Sequence, residues 1–121
     1  MSHYQRREDL TLVPDLLGLA ATEGRAFLTF NNSIERDDGE IPRKYRELIA
    51  LGVAFTTHCA YCIDTHTRHA RAHGASKQEI AEAAFVAAAV KAGGTLAHSL
   101  LALRLFDEAE TPAQARSRLA E

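Results

Sequence analysis

Apolar residues recur at helical spacing through most of the chain, and the two-residue alternation of strands is almost absent. Pro14 to Phe30 carries Leu16, Leu17, Leu19, Ala20, Phe27, Leu28 and Phe30, which predicts a first helix with a break at Gly24. The polar stretch from Asn31 to Glu40 predicts a connection. Ile41–Pro42 opens a second helix, with proline in the first turn, where its missing N–H is no loss, and this helix runs to about Thr57. Beyond Arg46 it is apolar nearly all round, as expected of a central, buried helix. A third helix is predicted from Cys59 to His73, stopped by Gly74 in a left-handed position. Ser76–Lys77–Gln78–Glu79 reads as a capping box and opens a fourth. Gly93–Gly94 is expected to end it, with a fifth helix from Thr95 to Glu108 and a ragged tail from Thr111. The pattern is all-α, in one domain over residues 1–121 with a core of about 10–110 between polar tails.

Composition narrows the function classes. The chain has 121 residues, 46% hydrophobic and 25% charged, so it is an ordinary globular sequence, small enough for a partner subunit to help complete its core. A net charge of −2 gives no electrostatic footprint for nucleic acid or anionic membrane. The start has no apolar run that would make a secretory signal, so a cytoplasmic setting is expected. The run from Ala83 to Phe106 is apolar, but Lys91, Gly93–Gly94, His98 and Arg104 interrupt it, and no membrane span is expected. Its alanines suit close helix packing, in the core or between subunits.

The chemistry is concentrated between Glu47 and His66. Cys59 and Cys62, the only two cysteines, are three apart, with Glu47 twelve residues before and His66 four after. Two thiols at that spacing close a disulfide or bind a metal, and the acid and imidazole are groups that manage a thiol's proton. On a helix the cysteines share a face, and His66 lies one turn beyond Cys62. If the second and third helices form an antiparallel hairpin turning near Thr57–His58, Glu47 faces position 67 or 68. That places it roughly 8 Å along the axis from Cys62 at about 1.5 Å rise per residue, so it reaches the thiols through His66 or a water. Its helical face continues as Leu51, Ala54 and Phe55, and burial there is expected to raise its pKa towards that of a general base. A surface pair with Arg43, worth a few tenths of a kcal/mol, is the duller alternative for Glu47. Helical spacing spreads His69 and His73 away from the thiol pair, so no metal is expected. His58 and His98 are read as solvated or packing residues.

The stretches Glu47–Leu–Ile–Ala–Leu–Gly–Val–Ala, Cys59–Ala–Tyr–Cys62–Ile–Asp–Thr–His66, Arg71–Ala–His–Gly74 and Glu79–Ile–Ala–Glu82 together resemble the alkylhydroperoxidase D-like superfamily, also called the carboxymuconolactone decarboxylase family. The resemblance implies an all-helical bundle with a central antiparallel helix pair, assembled into trimers or hexamers. It implies Cys59 and Cys62 as a redox pair, with Glu47 and His66 as a proton relay and no cofactor. The expected reaction partners are a hydroperoxide or disulfide substrate and an external dithiol reductant protein. Cys62, with His66 on its own face, is assigned the attack and Cys59 the resolving role. Two other readings stay open: a cofactor-free lyase using Glu47 and His66 alone, and a zinc-stabilised or redox-sensing module.

Overall fold

The computed structural model describes residues 4–121. Its elements are a 3-10 turn at Arg7–Leu12 followed by six helices: α1 Val13–Leu19, α2 Ala21–Ile34, α3 Arg43–Thr57, α4 Ala60–Ala72, α5 Lys77–Glu108 and α6 Pro112–Ala120. No strand occurs among the described residues. The chain falls into two units, one ending at Ala88 and one beginning at Ala89, with α5 running through both.

The α3–α4 hairpin dominates the packing of the first unit. α3 starts where expected, with Pro42 at the cap just before Arg43 rather than inside the first turn. It ends at His58, the one non-glycine described residue in left-handed backbone, with φ of 57°. That turn lets Cys59 N–H bond back to the Ala54 carbonyl at 3.1 Å, and the chain reverses into α4. α4 stops in a Schellman motif: Gly74, φ 89°, donates to the Arg71 carbonyl and Ala75 to the Ala70 carbonyl. Leu51, Ala54, Ala70 and the carboxylate of Glu47 are the side chains closed off between the two helices. α3 is not buried all round, however. Ile49 and Val53 stand more than half exposed on its other face.

Four further expectations change. The break in the first predicted helix lies at Ala20, whose φ of −128° and ψ of 71° leave the helical region, and not at Gly24. Gly24 sits inside α2 and is buried there because the backbone of Leu17 crosses it; a Cβ would lie 2.9 Å from Leu17 Cα. The 3-10 turn orders part of the predicted N-terminal polar tail, of which residues 1–3 lie outside the described part. α5 passes straight through Gly93–Gly94. Two glycines cost a helix about 1 kcal/mol each relative to alanine, too little to stop one flanked by alanine, leucine and a well-made cap. That cap is present: Ser76 N–H donates to Glu79 Oε1 and Glu79 N–H to Ser76 Oγ, both at 3.0 Å. The tail from Thr111 is likewise ordered, because Thr111 and Gln114 form a second capping box around Pro112.

The apolar run on α5 does not form core. Phe85 is 77% exposed and Phe106 81% exposed. By length and composition alone, α5 is long and apolar enough to cross a membrane. Lys44 Nζ meets Glu79 Oε2 at 2.9 Å and ties the first turn of α5 to α3.

Candidate functional site

Glu47 is 2% exposed, the one buried charged residue among those described. A carboxylate in that position is stable only with partners, and α3 and α4 supply them. Arg43, one turn earlier on α3, donates from Nε to Oε1 at 2.8 Å. His66, on α4, places Nδ1 2.6 Å from Oε2. Arg43 is itself anchored, since Nη1 donates to the Glu35 carbonyl at 2.5 Å and lies 3.7 Å from Asp37. Arg46 fastens the same connection through the carbonyls of Ile41 and Ile34. The polar loop between α2 and α3 thus holds the arginine that holds the glutamate.

The expected rise in the Glu47 pKa does not occur. Burial pushes it up and is the largest single influence, but the hydrogen bonds and charges of Arg43 and His66 together outweigh it and hold the carboxyl below its ordinary 4.5. Glu47 is therefore an ionised acceptor. The N–H of His66 Nδ1 donates to it, which fixes the ring tautomer and leaves the Nε2 lone pair as the basic end. The hairpin expectation placed Glu47 opposite position 67 or 68, within about a turn of His66; the contact is with His66 itself. The alternative pairing with Arg43 is present too, inside the protein rather than at its surface.

Cys59 is the N-cap of α4 and Cys62 completes its first turn. Cys59 has extended backbone, φ −95° and ψ 94°, so the pair closes across the helix start and not along a regular turn. Their Cα atoms are 5.2 Å apart and the sulfurs are joined. The Sγ of Cys59 also accepts the Cys62 N–H at 3.2 Å. Free N–H groups and the helix dipole favour negative charge on sulfur here once the bond is open. Both cysteines are half-buried, and His66 follows Cys62 by one turn on the same helix.

Two contacts escaped the sequence reading, and a third residue was set aside by it. Tyr61, between the cysteines, donates its hydroxyl to Asp9 Oδ2 at 2.7 Å. Arg7 pairs with Asp64 at 2.8 Å. Together they moor the 3-10 turn to the first turns of α4, beside a cavity of about 230 Å³ lined by Gln5, Arg6, Arg7, Ala60, Tyr61 and Asp64. The third is His69, whose Nδ1 approaches Glu47 Oε1 to 3.7 Å. Sequence spacing had set it aside as a ligand beside the cysteines; the hairpin brings it onto Glu47.

The profile of the carboxymuconolactone decarboxylase family matches residues 22–105. An uncharacterised protein of the cox locus of Paracoccus denitrificans is 40% identical over 83 residues, covering 69% of this chain and 74% of that one. An uncharacterised protein of Cupriavidus necator is 31% identical over 70 residues, covering 58% of this chain and 62% of that one.

Proposed function

This chain belongs to the carboxymuconolactone decarboxylase family, and we propose that within it the chain is a thiol-dependent peroxidase or disulfide oxidoreductase working through Cys59 and Cys62. The observation that carries the reading is the joined cysteine pair at the start of the helix that also presents His66 to the ionised Glu47.

In the reduced protein, His66 Nε2 takes the Cys62 proton, and the imidazolium is stabilised by Glu47 through Nδ1–H. The Cys62 thiolate attacks one oxygen of the hydroperoxide. An S–O bond forms and the O–O bond breaks; sulfur is oxidised to sulfenic acid, and the leaving alkoxide takes the proton held by His66 and departs as an alcohol. The Cys59 thiol then condenses with the sulfenic acid, forming S–S and releasing water. An external dithiol reduces the disulfide by exchange and becomes a disulfide itself. A reducing, cytoplasmic setting suits this last step. The exposed apolar side chains of α5 support a homo-oligomer; its expected form, a trimer or hexamer, comes from the family resemblance alone.

The family name and the Glu47–His66 pair also support a cofactor-free lyase, for which the cysteines are dispensable. Turnover of a hydroperoxide with excess dithiol, compared in wild type, Cys59→Ser and Cys62→Ser, separates the two. The proposal expects both variants to lose turnover, and a sulfenic-acid probe to label Cys62 in Cys59→Ser. Unchanged turnover without the cysteines defeats it; label confined to Cys59 in Cys62→Ser reverses their roles.

A further inference from the structure

The relay described above uses Glu47 and His66 and gives His69 nothing to do. Yet the His69 Nδ1 atom is buried, and it is the one buried side-chain polar atom among the described residues with no hydrogen-bond partner. Shutting such a nitrogen from water without a partner is unfavourable. Its direction is informative: it points at Glu47 Oε1, 3.7 Å away, with its ring edge-on to His66 at 5.8 Å between centroids. One ligand atom each from Glu47, His66 and His69 lie within 4.8 Å of one another.

We propose that Glu47, His66 and His69 form a binding site for a divalent late transition metal of the zinc class. Two imidazole nitrogens and one carboxylate oxygen are a borderline donor set that suits zinc or cobalt, whereas calcium and magnesium take oxygen. Three protein ligands leave a fourth position for water. Tetrahedral ligands about 2.1 Å from a metal stand roughly 3.4 Å apart, so on binding Glu47 Oε2 and His66 Nδ1, now 2.6 Å apart, separate while His69 draws in.

Charge decides whether a cation is tolerated, because Arg43 also touches Glu47. Its guanidinium donates to Oε1 and the Glu35 carbonyl and lies beside Asp37, which leaves Oε2 beside His66 open to the metal, with His69 approaching from the Oε1 side. Asp37 is also approached by His73, whose Nε2 lies 3.7 Å away. With neutral imidazoles, Glu47 and Asp37 exceed Arg43 by one negative charge. The ion would take the place of the proton that Glu47 Oε2 and His66 Nδ1 now share. Metal and relay are then mutually exclusive, so zinc is a reversible inhibitor of thiol oxidation. That inhibitory consequence rests on the peroxidase reading; the binding does not.

The test uses the disulfide-closed protein, whose sulfurs are not available as thiolate ligands. Cobalt is titrated by visible absorption and zinc by calorimetry. One ion per chain is expected, with His69→Ala weakening affinity by at least about a hundredfold and His98→Gln leaving it unchanged. The Cys59→Ser/Cys62→Ser variant should bind like wild type, so failure of the redox reading leaves this result intact. No binding, equal affinity in His69→Ala, or binding that vanishes with the cysteines overturns the site. Should His69→Ala fail to fold, zinc-edge absorption on the wild-type disulfide form decides, and a ligand shell without imidazole overturns it. Zinc is also expected to slow peroxide-driven oxidation of the reduced wild type at least about tenfold; bound zinc with an unchanged rate overturns the exclusion of relay by metal.

Discussion

A single buried carboxylate sets the energetics at the residue scale. Removing one partner of a buried ion pair leaves an uncompensated charge and costs about 3–5 kcal/mol, whereas an exposed pair is worth at most about 1 kcal/mol. Arg43 and Glu47 are 14% and 3% exposed at the side chain, against 27% and 32% for Lys44 and Glu79. Arg43→Met should therefore lower the denaturant midpoint several times further than Lys44→Met; equal losses would mean that Glu47 is not relying on Arg43. The catalytic consequence is separate. Glu47→Gln keeps the shape but weakens the hold on the His66 tautomer, and should slow thiol oxidation at least about a hundredfold. Because Glu47 is ionised below 4.5 in the folded chain, its contribution persists through neutrality and is lost only as pH falls through that lowered value. The carboxyl carbon of Glu47, read by NMR in the folded protein, should thus stay that of an ionised group between about pH 6 and 8. A protonation step of Glu47 within that range would show a carboxyl raised, not lowered. Hairpin arithmetic brought Glu47 to within about a turn of His66, and left open whether the two touch or are linked by water. The sign of the pKa shift was not legible, because it depends on how deeply Arg43 is buried and on a loop carbonyl at Glu35.

Elements reach the site from outside the hairpin as well. The 3-10 turn is moored through Asp9 and Tyr61, and each group stabilises the mooring from its own side of neutrality. The Tyr61 hydrogen bond, the largest influence, and the Arg6 backbone hold the Asp9 carboxyl below its ordinary 3.8. A depressed acid stabilises above its unfolded value and loses that contribution as pH falls through the folded one. The Asp9 hydrogen bond, followed by burial and charge, lifts the Tyr61 phenol above 10.0. A raised group stabilises below its unfolded value and loses that contribution as pH rises through the folded one. Amide exchange over Arg7–Leu12 should accordingly be slow relative to Tyr61→Phe between about pH 4 and 10, and the two should converge outside that window. Matching exchange at neutral pH would show that the phenol does not secure the turn. Helix existence was legible from periodicity in every case but α6, whose signal, Thr111–Pro112–Ala113–Gln114, was present and passed over. Interruptions were harder. Glycine was read as a stop at Gly24 and Gly93–Gly94, yet only Gly74 has the positive φ of a terminating glycine; the others serve close approach or are simply tolerated.

For the whole molecule the question is what covers the apolar surface. Ile49 and Val53 on α3 and Phe85, Val86 and Val90 on α5 stand exposed in the single chain, more than an isolated small domain ordinarily leaves open. For the homo-oligomer proposed above, Val86→Glu should shift light scattering from an assembly towards monomer; a wild type that is monomeric at all concentrations contradicts it. Sequence periodicity could show that these faces are apolar but not that one chain fails to bury them, since that depends on where the other helices pack. The central claim concerns the cysteines. Fully reduced protein is mixed with one equivalent of hydroperoxide and its intact mass and thiol content are read by mass spectrometry. The account predicts loss of two hydrogens, no alkylatable thiol at Cys59 or Cys62, and recovery of both on adding a dithiol. Two free thiols after peroxide, with the mass unchanged, would contradict it.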